Sequence, residues 1–89
     1  MQINQEQIKS GLHIKYFNLQ LNILRKFFKK DIKSLIPYRD INNNLSLRLS
    51  LLNNFYYFSI PENLVMNQAD WDQMKSLIKV EIEDVSQRN

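Results

Sequence analysis

The chain has 89 residues, of which 44% are hydrophobic and 11% aromatic, and its formal net charge is +3. This length allows one domain with a modest core, and the apolar content excludes an intrinsically disordered chain. The absence of cysteine excludes disulfide bonds, thiolate chemistry and most structural zinc sites. No apolar run approaches the roughly 20 residues that span a bilayer, and the N-terminal residues are polar where a secretion signal is apolar. We therefore expect a cytoplasmic protein and a complete small open reading frame.

Positive and negative charges are distributed unevenly along the chain. Residues 1–52 carry nine lysines and arginines against three acids, whereas residues 53–89 carry three against six. Such an asymmetry can steer an acidic partner to one side of the molecule. Opposite charges on neighbouring elements would equally serve to keep the surface hydrated.

The first 17 residues predict a short helix followed by a short strand. Residues 2–9 favour a helix that ends at Gly11, because glycine readily adopts the left-handed conformation that closes a helix. In residues 12–17, apolar side chains alternate with polar ones, which favours a strand, although this run continues directly into a helical pattern.

An amphipathic helix is predicted over about residues 18–36. Its apolar stripe consists of Phe17, Leu21, Leu24, Phe28, Ile32 and Leu35. Asn18 would serve as the N-cap, and Pro37 should end the helix because the residue before a proline avoids the helical conformation. The opposite side of this helix carries a basic arc, which consists of Arg25, Lys26, Lys29, Lys30 and Lys33.

The clearest pattern in the chain is a β-hairpin with strands at about residues 45–52 and 55–60, joined by a loop of Asn53 and Asn54. This loop sets a register that sorts both strands into two faces. The apolar one, here called the leucine face, contains Leu47, Leu49, Leu51, Tyr56, Phe58 and Ile60. The other face is mixed and contains Ser46, Arg48, Ser50, Leu52, Phe55, Tyr57 and Ser59.

The last predicted element is a helix at about residues 68–86, with Asn67 as its N-cap and Asp70 placed to meet the free amides of the first turn. Its apolar stripe consists of Trp71, Met74, Ile78, Ile82 and Val85. Neither a lone hairpin nor a lone helix is stable in water, so these elements must pack together. The predicted fold is one small α+β domain, residues 1–89, in which a β-hairpin or a three-stranded antiparallel sheet packs against two amphipathic helices.

The residue types that enzymatic chemistry requires are scarce in this chain. His13 is the only histidine, so a metal site would need carboxylates to complete it, and the single glycine excludes phosphate-binding loops. No serine lies in a nucleophile elbow. Arg39, Arg48 and Tyr57 leave room for a ribonuclease-like toxin, since such side chains can assist phosphodiester cleavage. We nevertheless expect no catalytic residues, no bound metal and no cofactor.

Aromatic and arginine residues outside the predicted core favour a binding function instead. Tyr and Arg are enriched at interface hot spots, and the candidates for partner binding are Tyr38, Arg39, Arg48, Phe55 and Tyr57. The leading hypothesis is a non-enzymatic adaptor or inhibitor that docks onto a larger protein. The high Asn, Lys and Ile content is typical of AT-rich coding and would fit a phage or mobile-element protein that acts on a host machine.

Two further kinds of partner are consistent with the same sequence. The basic arc would neutralise phosphates of a nucleic acid, while Arg48 and Tyr57 would contact its bases. A small sheet also has open edges, which would permit a homodimer through an edge or through Leu77 and Val80.

Overall fold

The first helix begins well before the predicted position. The computed structural model describes the backbone of residues 5–88 and the side chains of residues 11–88. Helix α1 (Gln5–Phe27) passes through Gly11 and residues 12–17, so the predicted helix end, the predicted strand and the Asn18 N-cap are wrong. The alternation in residues 12–17 marks no buried strand face, because the side chains before Phe17 are exposed or half-exposed. The predicted residues 2–4 lie outside the described range.

Helix α1 also ends earlier than predicted, although the apolar period continues to Leu35. The chain turns after Phe27, where the carbonyl of Phe28 accepts hydrogen bonds from the amides of Asp31 and Ile32 at 2.8 and 3.1 Å. Phe28 in this turn and Leu35 in the following strand are both buried in one core. The stripe therefore reflects a shared core and not a continuous helix. The prediction of helix over 28–36 is wrong.

The sheet has three antiparallel strands in the order β1-β2-β3, which are β1 (Ser34–Arg39), β2 (Leu45–Leu51) and β3 (Asn54–Ser59). Strands β2 and β3 form the predicted hairpin. Strand β1 is added to it and lies in residues that the sequence predicts as a helix end and a connector. Pro37 belongs to this strand and ends no helix, because α1 already stops at Phe27, so the predicted role of Pro37 is wrong. It is tolerated because β1 is an edge strand, where one side of the backbone needs no amide donor.

The hairpin turn lies one residue earlier than predicted. Leu51 pairs with Asn54, whereas a loop of Asn53 and Asn54 would have paired Leu52 with Phe55. Leu52 takes the left-handed conformation that the turn requires, with φ of 49°. The predicted register would also have placed Pro61 where the ladder requires an amide donor, which proline lacks. The observed pairing is shifted by two residues from the predicted one. Since side chains alternate between the faces with a period of two, every paired residue stays on its predicted face.

Helix α2 (Gln68–Arg88) has the predicted start and ends two residues after the predicted position 86. The amide of Asp70 donates to the Asn67 side chain at 2.9 Å, and the amide of Asn67 donates to the Asp70 carboxylate at 3.0 Å, which is a reciprocal capping box. Trp71 is buried, at 2% exposure, and its ring lies 5.3 Å from that of Phe17.

The core lies between the two helices and the leucine face, to which Leu35 of β1 adds a further buried side chain. The fold is therefore the predicted α+β arrangement, with two helices packed against a three-stranded antiparallel sheet. Over residues 5–88, neither helix is both long and apolar enough to cross a membrane.

Candidate protein-docking face of the sheet

The face of the sheet opposite the leucine face carries no helix from the described part of the chain. We call it the open face, and it consists of Ser34, Ile36, Tyr38, Ser46, Arg48, Ser50, Phe55, Tyr57 and Ser59. Phe55 and Tyr57 are 56% and 53% exposed, so their rings lie largely in solvent. Exposed aromatic rings grouped on one rigid surface are typical of binding sites.

Arg48 lies at the centre of the open face, between aromatic rings of both edge strands. Its guanidinium carbon is 5.0 Å from the ring centroid of Tyr38 and 5.2 Å from that of Phe55. The Tyr38 and Tyr57 rings are themselves 5.3 Å apart. The two contacts of Arg48 are cation–π interactions. They hold a long, flexible side chain in one place by contacts from β1 on one side and β3 on the other.

The Arg48 guanidinium has no polar partner within residues 11–88. Its Nε atom is buried and makes no hydrogen bond there, and the ion pairs of this part of the chain involve other residues. A buried donor loses its hydrogen bonds to water, and contacts with aromatic rings replace them only in part. Arg48 is therefore a cation without a polar partner among the described residues.

A groove of about 580 Å³ lies at one end of the open face, beside Tyr38 and Tyr57, and contains two carboxylates. The Asp40 carboxylate accepts hydrogen bonds from the backbone amides of Asn42 and Asn44 at 2.8 and 2.9 Å. These two bonds close the loop between β1 and β2. The Asp40 charge is thus already stabilised by the chain itself.

The second carboxylate of this groove belongs to Glu62, which forms a bidentate ion pair with Arg39. The Nη–Oε distances are 2.9 and 2.7 Å. Hydrogen bonding to Arg39 lowers the pKa of the Glu62 carboxyl, and the same hydrogen bond raises the pKa of Arg39. Both charges are compensated, so Arg48 is the uncompensated charge of this region among the described residues.

The structure brings together four of the five residues that the sequence suggested for partner binding. Tyr38, Arg48, Phe55 and Tyr57 all lie on the open face. Arg39 does not, because its position in β1 has the opposite parity and its side chain is engaged by Glu62. Ile36 belongs to the open face and was missed, since its strand was assigned to a helix. The preference of a pre-proline residue for extended conformations was the signal that could have revealed it.

The basic arc does not form one face of a helix. Arg25 is the arginine of α1, and its Nε atom donates to the backbone carbonyl of Leu35 at 2.8 Å, so it supports the fold. Lys29, Lys30 and Lys33 follow the end of α1. Lys29 and Lys33 border a groove along β1, whereas Lys30 borders another depression that includes residues of α2. The predicted array of five cations on one helix is therefore wrong.

Comparisons with protein-family models, with curated proteins and with solved structures found no match to this chain. Within residues 11–88, whose side chains the structure describes, no cluster of three or more His, Cys, Asp or Glu side chains could hold a metal ion. The roles of the residues on the open face therefore follow from their own geometry and chemistry.

Proposed function

We propose that this protein is a non-enzymatic adaptor or inhibitor that docks onto a larger protein through the open face. The observation that carries the proposal is the unpaired Arg48 guanidinium held between the rings of Tyr38 and Phe55. Arginine and aromatic residues dominate binding energy when they are desolvated together at the centre of an interface.

The side chains of the open face indicate which groups the partner should carry at the interface. A carboxylate would accept two parallel hydrogen bonds from the Arg48 guanidinium in the usual bidentate geometry. Around it, apolar atoms would cover the exposed rings of Phe55 and Tyr57. Because Asp40 and Glu62 already have partners, no competing cation is needed on the partner surface. The expected epitope is an acidic side chain surrounded by apolar groups.

The rigidity of this site also favours docking. Arg48 lies on the central strand and contacts rings from both neighbouring strands, so its side chain is largely ordered before binding. An ordered side chain loses less entropy when an interface forms, which leaves more of the contact energy for affinity. The sheet thus presents a preorganised arginine.

The test begins with capture of the partner from the native host, followed by affinity measurement with purified components. Replacing Arg48 and Tyr57 together by Ala should weaken partner binding by two or more orders of magnitude, equivalent to about 3 kcal/mol. The thermal midpoint should move by only a few degrees, because neither residue belongs to the leucine face. Lys26→Ala is the matched control, since Lys26 is exposed and lies outside the open face.

Unchanged partner affinity in the double variant would exclude the open face as the docking site. Capture of nucleic acid in place of protein would favour the alternative function. In that case retention of a single strand should fall steeply as salt rises from about 50 mM, and replacing Lys26, Lys29 and Lys30 by Glu should abolish it. Loss of folding in the double variant would identify the open face as a second core.

A further inference from the structure

The free edge of β3 is a row of backbone groups without partners. The amide of Ile60 donates to the carbonyl of Leu45 at 3.4 Å, which identifies the residues of β3 that bond to β2. Bonded and outward-pointing residues alternate along an antiparallel strand. The outward-pointing residues are therefore Phe55, Tyr57 and Ser59. Among the described residues, their amides and carbonyls make no hydrogen bond.

The free edge of β1 is blocked. The amide of Asp40 donates to the carbonyl of Asn44 at 3.1 Å, in the register of the β1–β2 ladder, so the outward-pointing residues of β1 are Leu35, Pro37 and Arg39. Pro37 has no amide to offer. The Leu35 carbonyl already accepts a hydrogen bond from Arg25. Such devices prevent pairing with another strand.

We infer that two copies of this chain pair through β3 to form a symmetric dimer with one continuous six-stranded sheet. The register that satisfies all three outward residues places Tyr57 opposite Tyr57 of the second copy and Phe55 opposite Ser59. This pairing would form about six backbone hydrogen bonds. A strand paired with itself about a two-fold axis is self-complementary by construction.

The side chains of β3 fit this partner. The strand has the sequence NFYYFS and carries no charge, so two copies do not repel each other. On the helix side of the sheet, Tyr56 would lie opposite Phe58 of the second copy. A groove of about 360 Å³ runs there between β3 and α2, with Met66, Met74 and Leu77 among its lining residues. Leu77 is 41% exposed, and the aromatic rings of the second copy would cover it.

The blocked edge makes the assembly close at two copies. After β3 pairs with β3, the strand edges left among the described residues are the two copies of β1. Both are protected by Pro37 and by the bond from Arg25 to Leu35. A sheet with one open and one blocked edge can therefore form a dimer but cannot extend into a filament.

The test is sedimentation equilibrium of the full chain over concentrations of about 1–500 µM. The chain should approach twice its mass of 10.7 kDa at the upper end. Ser59→Pro removes an outward amide without touching the ladder to β2, and it should weaken dimerisation at least tenfold. Ser59→Ala is the matched control, because it keeps the amide and should dimerise as the parent does.

Two further variants keep the proposal testable should Ser59→Pro fail to fold. Tyr57→Lys would place two ammonium groups opposite each other and should give a monomer. Tyr57→Cys introduces the chain's only cysteine, whose Cα atoms in the dimer would lie about 5.5 Å apart, so oxidation should cross-link it. Ile36→Cys on β1 should not cross-link.

A parent chain that sediments at 10.7 kDa throughout would overturn the dimer. Cross-linking that is no faster at position 57 than at position 36 would overturn the β3 interface. Neither result bears on docking through the open face, since Arg48 lies on the central strand and its test is partner affinity.

Discussion

The two edges of this small sheet differ in only a few groups, and these groups leave the backbone of one edge free and block that of the other among the described residues. The outward positions of β1 are Leu35, Pro37 and Arg39. The carbonyl of Leu35 accepts a hydrogen bond from Arg25, and Pro37 has no amide. The corresponding positions of β3 are two aromatic residues and a serine, with amides and carbonyls unbonded within the described residues. One proline and one arginine side chain thus decide which edge is available.

The contrast also shows that local sequence predicts only part of what protects a strand edge. A proline in a strand is a recognisable edge signal. The arginine that completes the protection lies ten residues before Leu35, at the end of α1, and reaches β1 only because the chain turns after Phe27. Edge protection here is a property of the tertiary structure.

The largest expected effect comes from removing the core on which both edges depend. Trp71→Ala should destabilise the protein by about 3–5 kcal/mol, because it empties a large buried site beside Phe17. Backbone amides of β1 and β3 should then lose hydrogen-exchange protection together, in one cooperative transition. Separate transitions for the two strands would show that the edges do not belong to one folding unit.

An intermediate effect is expected from opening the blocked edge. Arg25→Ala combined with Pro37→Thr frees the Leu35 carbonyl and restores an amide, which gives the chain two open edges. Light scattering should then detect assemblies larger than those of the parent, and loss of the Arg25 hydrogen bond should cost about 1–2 kcal/mol. Lys26→Ala with Pro61→Thr is the matched control, since neither residue lies on a strand. Equal masses for the parent and the double variant would contradict edge protection.

The smallest effect concerns the ion pair that joins the end of β1 to the linker after β3. The pKa of Glu62 is lowered by its hydrogen bond from Arg39, so the unfolded chain binds the proton more readily. The stabilisation is therefore fully present above the unfolded pKa and is lost as pH falls through the folded one. Because the pair is exposed, Glu62→Gln should lower the melting temperature only slightly near pH 6.

Melting curves of the parent and of Glu62→Gln should converge as the pH falls far enough to protonate the Glu62 carboxyl of the parent. The difference near pH 6 should also shrink at high salt, which screens exposed charges. A difference that grows on acidification would reverse the expected sign and would exclude this ion pair as its cause.

Much of the fold was predictable because alternation and helical period survive small errors in register. The wrong turn position left every paired residue of the hairpin on its predicted face, since the offset preserved the parity of the strands. The bounds of α1 were not predictable in this way. Phe28, Ile32 and Leu35 continue the helical period only because a turn and a strand return to the same core.

The candidate site was predictable to the same extent and for the same reason. Alternation in the hairpin places Arg48 and Tyr57 on one face. Tyr38 is a candidate from its residue type, but its position beside Arg48 is not accessible from the sequence, because it depends on the pairing of β1 with β2. Single strands reveal their own faces, whereas the neighbour that completes a site is set by topology.

Pro37 has a consequence for how this chain tolerates mutation. A proline codon becomes a threonine, serine, alanine or leucine codon by one base change, and any of these would restore the missing amide on β1. The bond from Arg25 to the Leu35 carbonyl would still occupy a neighbouring position on that edge. The two devices are redundant, so a single mutation leaves the edge partly blocked. Loss of either Pro37 or Arg25 by mutation should therefore not be enough to make the protein aggregate through β1.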